Sequence, residues 1–374
     1  MSIPKVSRAA VLVEHKKPSV ITDINIPPLE PKGILAKVLL AGTCGTDVHQ
    51  RDGTLSIGTP LPIIQGHETL GEIVEIGHDR KTDFIGEPIK PGDRIMWAHA
   101  YCGTCYGCKV LKKPFMCFDR MMYGYAKPEQ LCGGFSEYVY VVPNSDVVRV
   151  PDSVTDEEAL GVGCAFRSVV NGFEKLHEHG GIGTADCVVV QGSGPIGLYA
   201  TVMAAQSGAT TIIVIGAPDL RLALAKEWGA THTINIEQVT DPKERQKQVL
   251  DITKGHGAQV VIEAAGVAAA FAEGIDLLAR NGTYLLLGQT STQTIEFLPS
   301  AIWAKQAVVL GCGLADINHY YKALKFVERY RDKYPLDKII TRSYSLEEID
   351  LALDNMKKGL DIKGVIDNRK RNSV

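Results

Sequence analysis

Val188-Val189-Val190-Gln191-Gly192-Ser193-Gly194-Pro195-Ile196-Gly197 is an apolar run that breaks into Gly-x-Gly-x-x-Gly and continues as a helix-like stretch. Each glycine answers a separate demand: the first makes a tight turn, the second lets the backbone approach a pyrophosphate, and the third lets helix and strand pack closely. The N–H groups and positive dipole of the following helix then favour phosphate. Gly192, Ser193, Gly194, Pro195, Ile196 and Gly197 are therefore candidate dinucleotide-binding residues. Glycines at turns are common, so the triplet is weak alone and gains force from its setting between a strand and a helix.

Downstream, strand-like runs Cys187–Gln191, Thr211–Ile215, Thr233–Ile236, Gln259–Ile262 and Thr283–Leu287 alternate with helical stretches Pro195–Ser207, Leu220–Trp228, Asp241–Thr253 and Ala268–Leu278. Regular alternation with near-continuous apolar strands predicts a doubly wound parallel sheet of the α/β class, the Rossmann arrangement. After Val308 the alternation is expected to end, with a helix at Asn318–Tyr330 and a β-like end at Lys363–Ile366. Upstream, from about Ser7 to Val150, short apolar runs (Ala9–Val13, Gly33–Leu40, Leu70–Ile76, Asp93–Trp97, Phe135–Val142) are broken by Gly, Pro and Asp, which predicts a β-rich lobe with long loops. The chain has 374 residues, consistent with two domains. They are expected at 1–164 with 309–374 and at 165–308, with the active site in the cleft where ligands commonly bind.

Forty Lys and Arg against forty-three Asp and Glu give a net charge of -3, and the sole basic run is Arg369-Lys370-Arg371. That balance argues against nucleic acid and against an anionic membrane surface. Neither a signal-peptide h-region nor a window of roughly 18 apolar residues is found, so a cytoplasmic protein without membrane association is expected.

The ribose-selecting position lies at the end of the second Rossmann strand, Ile213-Val214-Ile215-Gly216-Ala217-Pro218-Asp219, and holds Gly216 where an NAD site usually has Asp or Glu. No carboxylate repels a 2'-phosphate there, and no Arg follows immediately to attract one. Arg221 could face the adenosine and Asp219 could replace the acid, so NAD and NADP both stay open.

Of nine cysteines, four fall between positions 102 and 117. In a reducing compartment, such clustering points to metal before disulfides. Cys102, Cys105, Cys108 and Cys117 suffice for a closed tetrahedral zinc that holds loops together. A zinc ribbon on nucleic acid is opposed by the acidic balance and the lack of interleaved bases and aromatics. Cys44-Gly45-Thr46-Asp47-Val48-His49, Gly66-His67-Glu68 and Gly163-Cys164 carry further potential ligands. Singly each has a bland reading, since a buried Cys is commonly a small hydrophobe. Their order along the chain, the last just ahead of a nucleotide-binding fold, raises them.

With these segments and Gly133-Gly-Phe-Ser-Glu-Tyr138, the chain resembles the zinc-dependent alcohol dehydrogenases of the medium-chain dehydrogenase/reductase superfamily over almost its whole length. The resemblance implies a GroES-like catalytic domain and a catalytic zinc on Cys44, His67 and Cys164, with Glu68 as alternate ligand. It further implies that Thr46 touches substrate, that His49 ends a proton relay, and that the four clustered cysteines hold a structural zinc. Ser168 and Lys363 are the candidate cofactor contacts outside the fingerprint and the adenosine end. A homodimer or homotetramer is implied as well. Three departures stand out: the Cys108–Cys117 step is one residue longer than usual, Gly45 replaces an Arg of some animal enzymes, and Arg167 is an unusual charge three residues after a ligand. Arg167 is expected to meet a cofactor phosphate, an anionic substrate or a carboxylate of the other lobe.

Two thiolates and an imidazole leave an open fourth position on zinc for water or alcohol, the ligand set that the general chemistry of zinc associates with alcohol dehydrogenase. Zinc acidifies the alcohol, hydride passes to nicotinamide, and Thr46 with His49 carries the proton out. The reaction expected is reversible oxidation of a primary, secondary or cyclic alcohol with NAD or NADP. Ile57, Trp97 and Leu310 are candidate pocket walls. The competing expectation is a nucleotide-sensing or zinc-ribbon binding protein without turnover.

Overall fold

The computed structural model describes residues 4–288 and 292–369, so Lys370 and Arg371 of the basic tail lie outside the described residues. Its contacts divide the chain into one unit up to Arg167 and from Ala315 onward, and a second unit over Ser168–Leu314. Among the described residues, no helix is long and apolar enough to cross a membrane.

The first unit opens with β1 (Val6–Leu12), β2 (Val20–Asn25), β3 (Ile34–Gly42), α1 (Gly45–Asp52), β4 (Ile63–Ile64), β5 (Glu68–Ile76), β6 (Arg94–Trp97) and the single turn α2 (Tyr106–Lys109). It continues through β7 (Tyr138–Val141), β8 (Val147–Arg149), α3 (Asp156–Leu160) and α4 (Ala165–His177), within which the unit boundary falls. The second unit carries β9 (Cys187–Gln191), α5 (Pro195–Gln206), β10 (Thr211–Gly216), α6 (Asp219–Glu227), β11 (His232–Asn235), α7 (Pro242–Ile252) and β12 (Ala258–Glu263). It ends with α8 (Ala269–Leu277), β13 (Leu278–Leu286), α9 (Ser300–Lys305) and β14 (Val308–Gly311). The chain then returns to the first unit as α10 (Ile317–Tyr330), β15 (Ile340–Tyr344), α11 (Ile349–Lys357) and β16 (Lys363–Asp367).

The β-rich unit is built on a sheet ordered β15-β16-β3-β5-β6-β8, with β7 also on β3, and on a small sheet β2-β1-β4. β3 is buried along nearly its whole length, and Ile34, Ala36 and Val38 join Ile73, Ile95 and Phe135 in one core. This core places the N-terminal end of β5, where Glu68 sits, opposite the C-terminal end of β3, since Gly42 pairs with Glu68.

The second unit is the expected doubly wound sheet, six parallel strands ordered β11-β10-β9-β12-β13-β14. Strands two sequence steps apart flank β9, so the winding reverses beside it, and the crevice at its C-terminal end is where such folds bind ligands. The alternation does not end at Val308: Val308–Gly311 is the sixth strand, paired to Thr283–Leu286. A four-residue edge strand after a six-residue helix carries too little periodicity to stand out in sequence.

Candidate active site

Glycines first make the approaches. Gly192 has φ +104, and a Cβ there would lie 2.7 Å from the carbonyl oxygen of Ala264, while one on Gly197 would lie 1.9 Å from that of Gly192. Gly194, at the start of α5, faces open space. These clearances are those that a tight turn, close packing and an open backbone require. Gly216 has a different constraint, because its Cβ would meet Ser193 Oγ at 2.5 Å and the Ser193 amide nitrogen at 2.9 Å. Asp219 already accepts from Asn235 Nδ2 at 2.6 Å and Gln238 Nε2 at 3.3 Å, so both its oxygens are engaged. Arg221 is half-buried near the start of α6, and Ser168 lies half-buried in the first turn of α4.

Cys44, His67, Glu68 and Cys164 bring one ligand atom each to within 4.8 Å of one another. The local folding explains how. Cys44 precedes α1, and its backbone N–H donates to Asp47 Oδ2 at 2.8 Å, which fixes the helix start beneath it. Asp47 Oδ1 lies 3.4 Å from His67 Nδ1, oriented too poorly for a regular hydrogen bond but close enough to leave Nε2 as the free imidazole nitrogen. Gln65 ties the two segments by donating to the Asp47 carbonyl at 2.9 Å and to Gln50 Oε1 at 3.1 Å. Cys164 is delivered by α3: Thr155 accepts from the Glu158 N–H at 3.3 Å, while the Glu158 carboxylate accepts from the Thr155 N–H at 2.8 Å. Gly163 follows, and its missing side chain lets that loop approach Met96 and the Glu68 backbone.

The electrostatics fit a cation. A hydrogen bond from Cys164 pulls the Cys44 thiol well down, and the same contact, with burial, pushes Cys164 well up. Burial pushes Glu68 up to about 7 against the pull of Lys363. Glu68 Oε1 is buried without a hydrogen-bond partner, while Oε2 accepts from Lys363 Nζ at 2.5 Å. Burial opposes the charge on Lys363, but Glu68 and both thiols overcome it and hold the ammonium above its ordinary range. A divalent cation would be held by both thiolates and would satisfy the orphaned oxygen. Lys363 also donates to the Thr43 carbonyl at 3.0 Å, so the residue expected at the cofactor is, in this structure, buried against Glu68.

Thr46 and His49 lie three residues apart on α1, hence on one face, and His49 Nδ1 is 2.9 Å from Thr54 Oγ1. Arg167 departs from expectation. Its Nε donates to the Gly163 carbonyl at 2.7 Å and its NH1 to the Ala315 carbonyl at 3.2 Å, with the guanidinium 4.8 Å over the Tyr320 ring. Among the described residues, no carboxylate pairs with it; carbonyl dipoles and an aromatic face accommodate the charge.

The second cluster, Cys102, Cys105, Cys108 and Cys117, also converges within 4.8 Å. Sulfur separations of 3.6 Å (Cys105–Cys108) and 3.5 Å (Cys102–Cys117) approach the tetrahedral edge of about 3.8 Å that follows from Zn–S near 2.3 Å. Hydrogen bonds from Thr104 draw Cys102 down to about 6, whereas burial lifts Cys108 to about 12. The Cys108–Cys117 step runs through the turn Pro114–Met116 and still brings Cys117 to the other three sulfurs. Of the expected walls, Trp97 lines a cavity with His67, Ile57 is exposed, and Leu310 is buried in the other unit.

Asp47 was not singled out by sequence reasoning, although an acid three residues after a helix-capping position is a readable signal. His99 and Tyr320, which share the His67 cavity, carry no such signal.

Comparison with known proteins matches an alcohol dehydrogenase GroES-like domain over residues 30–152 and a zinc-binding dehydrogenase domain over residues 195–329. The 5-exo-hydroxycamphor dehydrogenase of Pseudomonas putida is 37% identical over 97% of this chain and 99% of its own. The chain belongs to the zinc-dependent alcohol dehydrogenases of the medium-chain superfamily. An alcohol dehydrogenase structure from Thermotoga maritima matches at 34% identity and a TM-score of 0.88, covering 97% of this chain and 99% of that one. A zinc-binding dehydrogenase from Sinorhizobium meliloti 1021 bound to NADP matches at 26% identity and 0.81, covering 97% and 100%. This alcohol dehydrogenase is accordingly an oxidoreductase that exchanges hydride between an alcohol and NAD(P), with zinc as metal cofactor. A binding protein without turnover is not favoured.

Proposed function

We propose that Cys44, His67 and Cys164 hold the catalytic zinc, that Glu68 is its alternate ligand, and that Cys102, Cys105, Cys108 and Cys117 hold the structural zinc. The observation that carries this reading is the convergence of each donor set within 4.8 Å. Bound zinc supplies Lewis acidity at the alcohol oxygen and bound nicotinamide accepts the hydride. The chain does the rest. Asp47 orients His67, Lys363 neutralises Glu68 while it stands off the metal, and Thr46 receives the alcohol proton and passes it to His49 one turn along α1.

Gly192 to Gly197 bind the pyrophosphate, and Gly216, Arg221 and Ser168 complete the cofactor contacts, while Lys363 stays at Glu68. An engaged Asp219 and an absent carboxylate at Gly216 support admission of both NAD and NADP. The 37% identity to a hydroxycamphor dehydrogenase supports a cyclic secondary alcohol as substrate. With β14 in the parallel sheet, the catalytic domain is assigned to residues 1–167 with 315–374 and the dinucleotide domain to 168–314, in a cytoplasmic homodimer or homotetramer.

The test is metal analysis paired with turnover on primary, secondary and cyclic alcohols with either cofactor. About two zinc ions per chain are expected, with Cys44→Ser keeping one, retaining its melting temperature and losing about 100-fold or more in kcat. Full activity in Cys44→Ser overturns the assignment.

A further inference from the structure

At the C-terminal end of β12 a buried carboxyl group bonds to the chain itself. Glu263 is the last residue of that strand, and water does not reach it. Its Oε1 accepts from the backbone N–H groups of Ala265 at 2.8 Å and Gly266 at 2.6 Å, and its Oε2 accepts from that of Gly288 at 3.1 Å. The Glu263 carbonyl also accepts from the N–H groups of Leu287 at 2.9 Å and Gly288 at 3.1 Å. One residue thus fastens the loop that leaves β12 to the loop that leaves β13. Without the side chain, buried N–H groups lose their acceptor, and the backbone must rearrange to find another.

Both loops adjoin the fingerprint turn. The Ala264 N–H donates to the Gln191 carbonyl at 2.8 Å, and a Cβ on Gly192 would lie 2.8 Å from the Ala265 nitrogen. Gly266 takes φ +73, and a Cβ there would lie 2.9 Å from the Gly288 carbonyl oxygen, so the two loops meet with no side chain between them. The strand order decides which part of a dinucleotide they face. β10 flanks β9 on one side and ends at Gly216, the ribose-selecting position, so the adenosine half belongs there. From a pyrophosphate at Gly192–Gly197 the other half leads over the ends of β12 and β13, on the opposite side of β9.

We infer that Glu263 is a positioning residue for the nicotinamide half of the cofactor, acting through the backbone of 264–266 and 287–288, which it holds in the shape that this half binds. This rests on the cofactor site proposed above.

The experiment measures dissociation constants by calorimetry for NADH against ADP-ribose, and for NADPH against 2'-phospho-ADP-ribose, in the zinc-loaded wild type, Glu263→Ala and Glu263→Gln. Each fragment keeps the adenosine and the pyrophosphate and lacks nicotinamide, so a general loss of structure weakens fragment and dinucleotide alike. Glu263→Ala is expected to raise the dissociation constant of the dinucleotide about 10- to 100-fold and to leave that of its fragment unchanged. Glu263→Gln keeps an acceptor oxygen for Ala265 and Gly266 but turns a donor toward the Gly288 N–H, and it is expected to show a smaller split in the same direction. Should the alanine variant not fold, the glutamine variant decides by the same comparison. Equal losses for dinucleotide and fragment, or no loss for either, overturn the inference while leaving the cofactor site standing. A wild type that binds neither the dinucleotides nor their fragments overturns the cofactor site and the inference with it.

Discussion

Gly216 carries two demands, one read from its sequence position and one from its packing. As the residue at the end of β10 it lacks the acid that would repel a 2'-phosphate, but the structure adds a steric demand from Ser193 in the fingerprint turn. The two effects separate by substitution. Gly216→Ala is expected to weaken NAD and NADP alike by the cost of overpacking, about 1–3 kcal/mol, because the displaced Ser193 serves whichever cofactor binds. Gly216→Asp should add a penalty for NADP alone through charge repulsion. Dissociation constants for both cofactors in both variants decide it, and an alanine variant indistinguishable from wild type rules out the steric part. Arg167 teaches the converse. Its charge was conspicuous in the sequence, yet its partners are the carbonyls of Gly163 and Ala315 and the ring of Tyr320, none identifiable from residue type. The two convergent donor clusters were legible as candidates because Cys, His and Glu in that order along the chain stand out together. Asp47, His99 and Tyr320 were not, because their importance comes from what the fold sets beside them.

Among the elements, those with long periodic patterns were readable and the short edge pieces were not. β9 to β12 and the helices between them follow continuous apolar runs, whereas β14, four residues long, escaped notice. Between Cys102 and Cys117 the regular structure is α2 and the turn Pro114–Met116, and only Gly107 and Cys117 are buried there, so few contacts besides the four thiols order this stretch. Cys105→Ser is therefore expected to drop the zinc content by one per chain and lower the melting temperature, while an unchanged melting temperature at one zinc would mean that the loop orders without its metal. At the start of α10, burial raises Asp316 to about 6, with His319 opposing. Between its unfolded value near 3.9 and about 6, the folded state binds more protons than the unfolded one, so this group subtracts stability as pH rises through that window. Stability of the wild type relative to Asp316→Asn should thus worsen from pH 4.5 to 7.5. About 1 kcal/mol is expected after discounting for partial exposure. Referencing to the variant cancels proton competition at the metal thiols, and a difference that does not vary with pH would refute the assignment.

For the whole molecule, the open question the sheet raises is what covers its end. β14 pairs with β13 on one side, and among the described residues no strand pairs with the other. An uncovered edge strand is a template for association, and proteins usually blunt it with charge or cover it. The segment that leads into β14 is apolar instead: Trp303 is 80% exposed and Leu298 70%, and Ile295 and Val308 are also exposed. An indole that accessible is costly in water and valuable in an interface, where tryptophan is enriched among the residues that carry binding energy. The proposed homodimer would use this face, each copy closing the other's sheet edge and burying Trp303. Trp303→Glu places a carboxylate at that centre and is expected to shift the mass measured by light scattering from dimer toward monomer at fixed concentration. The zinc content should stay at two, since neither donor set lies in this unit. An unchanged mass would move the self-association surface elsewhere on the chain.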